Sequence, residues 1–161
     1  MRRRREAGPI EPLEDGRFAF RLSVDERTTL VGFLDQLEEL LTSGDDDPRL
    51  HRLFPTAYHQ DPEHDAEYQG YMRDELMQSR LSSVQTVRDA LLSEDDFSEG
   101  QLYAFMTVVN SLRLVLGTLL DVSEDDDAED LPEDDPAFGQ GQLYGYLGWI
   151  LEWTVWALSG E

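Results

Sequence analysis

The chain has 161 residues, which is enough for one domain with a substantial hydrophobic core. Its formal charge is -22, and a field of that sign repels nucleic-acid phosphates and anionic lipid, so direct DNA or membrane binding is not expected. There is no cysteine, which excludes disulfides, thiol catalysis and thiol-bound metals. No secretory signal or membrane-spanning run is recognised, so we expect a cytoplasmic protein.

The first predicted element is a β-hairpin that follows a flexible basic tail at residues 1–8. Asp15-Gly16 is a strong signal for a two-residue turn between two strands. The residues after it alternate between apolar and other side chains, with Phe18, Phe20 and Leu22 on one face. Because a lone hairpin is marginally stable in water, this face is expected to pack on a larger body.

Helical spacing of apolar residues then predicts a mainly α protein. We expect residues 9–161 to form a single domain, a bundle of about five helices that follows the short N-terminal hairpin. The first helix opens at Ser23-Val24-Asp25-Glu26, which has the pattern of a capping box, and ends before Ser43-Gly44. A short helical turn is expected between residues 45 and 53.

The later helices become increasingly apolar along the chain. One opens at Asp61-Pro62 and continues to Leu92, and whether it breaks near Ser82-Ser83 stays open. The next has a second capping box at Ser98 and is apolar on nearly all faces, which predicts a central position in the bundle. An acidic stretch at residues 123–139 is expected to be a mobile linker before a last helix at about residues 142–158.

Two histidines among carboxylates form a candidate metal site. His59 and His64 are five residues apart, whereas helical zinc sites favour a spacing of four, and Asp61-Pro62 is expected to interrupt the helix between them. The carboxylates of this stretch equally suit the positive end of a helix dipole. We therefore expect no metal and no cofactor here, and retain a metal-dependent hydrolase using His59, His64 and Asp61 as the alternative function.

The acidic stretch also invites comparison with a calcium-binding loop. Asp121, Ser123 and Asp125 fall at loop positions 1, 3 and 5. The position that requires glycine is Asp126, and the position that requires glutamate is Pro132. A dedicated calcium site is therefore not expected, and weak binding of divalent cations stays open.

Arg113 is the only basic residue between Arg88 and the C-terminus, and it lies among predicted core positions. A guanidinium near a core requires a partner that offsets its desolvation. We predict a structural ion pair with Asp74 or Glu75, and the alternative is an arginine that binds a ligand.

The tryptophans of the last helix, Trp149, Trp153 and Trp156, recur at i, i+4 and i+7 and so share one face. Core packing is the expected role, and a partner or subunit interface is the alternative. Nearby glycines predict close approach to a neighbour, so a homodimer stays open. The chain has no phosphate loop, G-x-S-x-G or G-x-G-x-x-G motif, and we expect it not to be an enzyme.

Three blocks in order carry a resemblance to a known family: R-L-F-P-T-A-Y with the following D-A-E-Y and R-D-E-L, then N-S-L-R-L-V-L-G-T-L-L-D-V, and L-Y-G-Y-L-G-W-I-L-E-W. With these blocks the chain resembles the actinobacterial AosR-like oxidative-stress regulators, formerly a domain of unknown function and often encoded beside the ClpS adaptor. The resemblance implies a helical protein that regulates transcription under oxidative stress through a sigma factor, RNA polymerase or a protease adaptor. The cysteine pair proposed as that family's sensor is missing, so no sensing residue is carried over.

Overall fold

The computed structural model describes residues 8–43, 62–93, 95–119 and 138–160. These residues form two short strands, β1 (Ile10–Pro12) and β2 (Phe18–Phe20), and four helices. The helices are α1 (Val24–Ser43), α2 (Pro62–Leu92), α3 (Glu99–Leu119) and α4 (Phe138–Ser159). The mainly helical class with an N-terminal hairpin is therefore confirmed.

The described residues contain four helices, and the predicted count of about five includes the short helical turn expected at residues 45–53. α2 is continuous over 31 residues, so the alternative of a break near Ser82-Ser83 is excluded. Serine costs a helix only a few tenths of a kilocalorie per mole, and buried Val84 and Val87 hold this part of α2 against the core. α4 begins at Phe138, so the last two residues of the predicted linker belong to the helix. The helical turn expected at residues 45–53 and the rest of the linker lie outside the described residues.

The hairpin has the predicted buried face but a different turn. β1 and β2 pair antiparallel, with Ile10 opposite Phe20, and Leu13 and Arg17 continue the pairing through a backbone hydrogen bond of 2.8 Å. The amide of Gly16 donates to the carbonyl of Leu13, and the φ of Gly16 is 84°. The connection is thus a three-residue loop with glycine in the left-handed position, because a two-residue turn would not accommodate this register.

The apolar face of the hairpin packs on the connection between α2 and α3. Phe97 exchanges two backbone hydrogen bonds with Phe18, of 2.8 and 2.9 Å. The ring of Phe97 stacks on Phe20 with centroids 4.3 Å apart, and Phe105 of α3 meets both rings edge to face. Phe97 is fully buried, and Phe105 is 1% exposed. This aromatic cluster is the larger body that the hairpin requires.

Hydrogen bonds from side chains fix the starts of α1 and α3. At α3 the capping box is reciprocal: Ser98 accepts from the amide of Gln101 at 3.1 Å, and Gln101 accepts from the amide of Ser98 at 2.8 Å. At α1 Ser23 accepts from the amide of Glu26, but the Glu26 carboxylate accepts from the Ser23 hydroxyl. The box at α1 is therefore only half of the predicted arrangement.

α3 packs against all three other helices, as its apolar faces predict. α1 and α2 are joined by Arg88, which contacts the carboxylates of Asp35, at 2.9 Å, and Glu38. Arg27 links the start of α1 to the hairpin and to the end of α2. Its guanidinium donates to four backbone carbonyls, those of Phe20, Leu22, Leu91 and Ser93.

Candidate partner-binding site

An apolar groove lies between α1 and α4, with α3 as its floor, and has a volume of about 250 Å³. We call it the α1–α4 groove. Its lining consists of Phe33, Gln36, Leu37 and Leu40 from α1, Leu112, Val115 and Leu116 from α3, and Gln140, Leu143 and Leu147 from α4. None of these side chains is titratable, so the groove is suited to apolar contact and amide hydrogen bonding rather than to proton transfer.

The groove exists because α1 has a wider apolar stripe than the core covers. One row of α1 is buried, namely Leu30, Leu34, Leu37 and Leu41. Phe33 and Leu40 lie beside this row and are only partly buried. Residues three and four apart are neighbours on a helix surface, so Phe33, Gln36 and Leu40 form a continuous strip. This strip is the α1 wall of the groove.

The two wall helices are acidic. Together α1 and α4 contain six carboxylates and a single basic residue, Arg27. The Arg27 guanidinium is bound by backbone carbonyls, and Asp35 and Glu38 share Arg88. α4 contributes only Glu152 and no basic residue over its 22 positions. An apolar groove with net negative walls favours a partner with apolar and basic side chains.

A hydrogen bond across the bundle joins the two walls. The hydroxyl of Tyr146 on α4 donates to the carboxylate of Glu26 on α1 at 3.2 Å. Burial and the negative charge of Glu26 raise the pKa of Tyr146 to about 12. The phenol is therefore neutral at physiological pH and remains a donor to Glu26, which holds α1 and α4 together next to the groove.

The predicted tryptophan face is divided between two environments. Trp153 and Trp156 are partly buried against the core and meet edge to face with centroids 5.3 Å apart. The N-terminal segment covers Trp153 so closely that a Cβ at Gly8 would lie 2.4 Å from its ring. Trp149 is instead 45% exposed, with the ring of Tyr146 at 5.8 Å. Core packing thus describes two of the three tryptophans, and Trp149 adds an exposed aromatic side chain to α4.

Arg113 faces α4 rather than α2. Its guanidinium carbon lies 4.6 Å from the ring centre of Tyr144, and Gly148 provides the space beside it, since a Cβ there would lie 3.3 Å from Nε. Within the described part of the chain, Arg113 forms no ion pair with Asp74 or Glu75, and its buried Nε has no hydrogen-bond partner. Asp74 and Glu75 are exposed. The predicted ion pair is replaced by a cation–π contact, because Arg113 is on the side of α3 that faces α4.

The candidate metal residues cannot be placed as a site. His59 and Asp61 lie outside the described residues, and for His64 only its position in the first turns of α2 is described. Among the residues that the structure describes, no group of three or more His, Cys, Asp or Glu side chains could hold a metal ion. In that same part of the chain, no helix has the length and apolarity needed to cross a bilayer.

Sequence reasoning missed Arg27, Arg88 and the Tyr146–Glu26 contact. Arg27 had a usable signal, because a basic residue in the first turn of a helix opposes the dipole and so requires another partner. Arg88 had a weaker sequence signal, namely the two carboxylates of Asp35 and Glu38, which are three residues apart on α1. The Tyr146–Glu26 contact spans 120 residues of sequence and has no local signal.

The described residues define a mainly helical fold with an N-terminal hairpin and an apolar groove between two acidic helices. By sequence the chain belongs to the family described as "Domain of unknown function (DUF2017)", whose sequence model matches residues 3–158. No protein with a curated description matches the chain, and no solved structure matches it.

Proposed function

We propose that this protein is a non-enzymatic regulator that acts by binding another protein. The observation that carries the proposal is the α1–α4 groove, an apolar recess in a chain of charge -22. Exposed apolar recesses in acidic surfaces are suited to partners that combine apolar anchors with basic side chains. The half-exposed Trp149 on α4 supports the same role, since tryptophan is enriched among the residues that anchor interfaces.

The sequence resemblance supports a regulatory role. The chain resembles AosR-like oxidative-stress regulators in three blocks, and two of these blocks contribute to the groove: Leu112, Val115 and Leu116 belong to the second, and Leu143 and Leu147 to the third. The partner is then a sigma factor, RNA polymerase or a protease adaptor of the ClpS type, in an actinobacterial cytoplasm. Because the chain has no cysteine, regulation proceeds without a thiol switch in this protein.

A binding experiment with purified components tests this proposal. The full chain is immobilised, and RNA polymerase core enzyme, the housekeeping and stress sigma factors and ClpS are passed over it separately at low and at physiological salt. We expect one of them to bind, with association that slows as salt rises because opposite charges steer the encounter. Failure of all of them to bind, with no effect of the protein on transcription or adaptor-dependent proteolysis in vitro, would contradict the proposal.

A matched variant controls for adhesion through exposed aromatic surface. Trp149→Ala removes the half-exposed indole of α4, whereas Tyr103→Ala removes a 47% exposed phenol from α3, and neither residue lines the groove. Binding through α4 predicts that only Trp149→Ala weakens the complex, because hot-spot residues are those buried by the partner. Equal effects of the two changes would indicate nonspecific adhesion.

A further inference from the structure

We propose that the α1–α4 groove binds an amphipathic helix of a partner protein, with apolar side chains in the groove and lysine or arginine along its flanks. This inference rests on the proposed function and adds the surface and the kind of partner. It is drawn from the shape, the spacing and the charge of the groove.

The volume of the groove indicates what can enter it. Sites for whole small molecules are commonly about 300–1,000 Å³ and contain a few converging polar groups. This groove has about 250 Å³, and its only polar lining side chains are Gln36 and Gln140, both exposed. A space of this size takes a few apolar side chains of a larger partner rather than a whole cofactor.

The spacing of the lining residues indicates a helical occupant. On the α1 wall they recur as i, i+3, i+4 and i+7 from Phe33 to Leu40, and on the floor as i, i+3 and i+4 from Leu112 to Leu116. This is the spacing by which one helix presents a stripe to another. From Phe33 to Leu40 the α1 strip rises by seven steps of about 1.5 Å, or about 10 Å, which matches two turns of a helix. The occupant therefore presents apolar residues at i, i+3 or i+4, and i+7.

The charge of the walls selects among helices. The wall helices carry six carboxylates and one arginine, and because Arg88 of α2 pairs with only two of the carboxylates, the walls remain net negative. A second copy of this chain would bring the same negative walls and a charge of -22, so self-association would be opposed by repulsion. A helix with basic flanks is attracted by the same field. Charge complementarity thus favours a different protein as the occupant.

A labelled peptide tests this directly. The probe is a synthetic peptide of leucine and lysine in which the leucines share one helical face. Two control peptides have the same leucines dispersed around the helix, or glutamate in place of lysine. Fluorescence anisotropy with the full-length protein is expected to show binding of the probe, and binding at least about tenfold weaker for each control.

Charge variants locate the binding. In Gln36→Arg/Gln140→Arg both exposed amides at the groove become cationic, and we expect the affinity for the probe to fall about tenfold. The matched control is Gln78→Arg/Asn110→Arg, which makes the same change of charge at exposed positions of α2 and α3 away from the groove lining. Equal weakening by both variants would mean that the net field alone binds the peptide, and would overturn the proposal.

The absence of cysteine allows a second measurement. A bromoacetyl group on the probe is expected to crosslink with Gln36→Cys and Gln140→Cys, and not with Gln78→Cys. A disulfide-linked dimer of Gln36→Cys in place of the peptide adduct would identify a second copy as the occupant.

Residues 49–54 of this chain, R-L-H-R-L-F, combine apolar and basic side chains as the probe does. A charge-neutral Leu53→Gln/Phe54→Gln variant that binds the probe more tightly would identify that segment as the occupant and overturn the proposal.

The outcome is separable from that of the proposed function. If Gln36→Arg/Gln140→Arg binds the purified sigma factor, polymerase or adaptor as the unchanged chain does, the groove inference fails while the regulatory role stands. If none of those proteins binds but the peptide does, the groove inference stands and the proposed partners are wrong.

Discussion

Phe97 pairs with Phe18 through two backbone hydrogen bonds, so that the connection between α2 and α3 extends the N-terminal hairpin by one bridge. The backbone groups on the free edge of β2 thereby gain hydrogen-bond partners at Phe18. The ring of Phe97 also stacks on the ring of Phe20. A hairpin with strands of three residues each would be marginal on its own, and this contact is what attaches it to the bundle.

Phe97→Ala should lower the free energy of unfolding by about 3–5 kcal/mol, because it removes a fully buried ring and leaves a cavity beside Phe20 and Phe105. Urea denaturation followed by circular dichroism measures the change. Tyr103→Ala, at a 47% exposed position of α3, should cost under about 1 kcal/mol. Similar losses for both changes would show that the aromatic cluster is not a centre of stability.

Arg27→Met should destabilise the protein by about 2–3 kcal/mol, since four carbonyl groups lose a charged donor while the aliphatic packing is kept. The matched control is Arg21→Met, because Arg21 is half exposed and forms an ion pair of 2.9 Å with Glu11 at the surface. A pair of that kind contributes about 0–1 kcal/mol. Chemical denaturation of the two variants compares them, and equal losses would contradict the structural role of Arg27.

Glycine substitutions in two helices test whether the guanidinium of Arg113 lies next to Gly148. Gly32→Ala in α1 meets open space, so it should raise the unfolding free energy by about 0.8–1.0 kcal/mol through helix propensity. Gly148→Ala should gain less or lose stability, because its Cβ would lie 3.3 Å from Nε of Arg113. In an Arg113→Ala background the gain at Gly148 should return. Thermal and urea unfolding of this double-mutant cycle measures the coupling, and its absence would place the guanidinium elsewhere.

The Tyr146–Glu26 contact predicts a loss of stability at high pH. Tyrosine has a pKa of 10.0 in the unfolded chain, and burial with the charge of Glu26 raises the pKa of Tyr146 to about 12 when folded. Between these values the unfolded state releases the proton and the folded state keeps it, so raising the pH favours unfolding. Below pH 10 the two states bind the proton alike and this dependence vanishes.

Unfolding free energies measured across that window should therefore fall more steeply for the unchanged chain than for Tyr146→Phe, which cannot ionise. Tyr103→Phe removes an exposed phenol and serves as the control for the loss of one tyrosine. Parallel curves for the unchanged chain and Tyr146→Phe would show that the phenol is not held by Glu26.

Elemental analysis tests the alternative metal-dependent function. After purification without affinity metals, we expect no stoichiometric zinc or iron, because the spacing of His59 and His64 does not suit ligands on one helix. Stoichiometric metal that is lost in His64→Ala but kept in an Asp74→Ala control would establish the metal site and favour the hydrolase hypothesis over the regulatory one.

Local patterns in the sequence predicted the local parts of the fold. The alternation of Phe18 and Phe20 gave the buried face of the hairpin, and the serine at the start of α3 gave its capping box, because both depend on residues close in the chain. The helix spacing also predicted the central place of α3. The sequence left the continuity of α2 open, because only the fold shows that burial of the neighbouring residues outweighs the weak helix formers Ser82-Ser83.

The candidate site was far less predictable. The α1–α4 groove depends on how far apart two helices lie, and Phe33 reads in the sequence like any other core residue. The helical spacing placed Trp149, Trp153 and Trp156 on one face of α4. It could not show that the segment at Gly8 covers Trp153 and leaves Trp149 exposed. The sequence correctly indicated that Arg113 needs a partner, and charge alone suggested the carboxylates of α2. The partner is instead the ring of Tyr144 on α4, 31 positions along the chain.

The Phe18–Phe97 bridge also has a consequence for synthesis on the ribosome. The two residues are 79 positions apart, so the hairpin leaves the exit tunnel long before the residue that completes it. Arg27 is likewise made before the carbonyls of Leu91 and Ser93 that it binds. The bridge to Phe97 and the contacts of Arg27 with Leu91 and Ser93 can therefore form only after α2 has been synthesised.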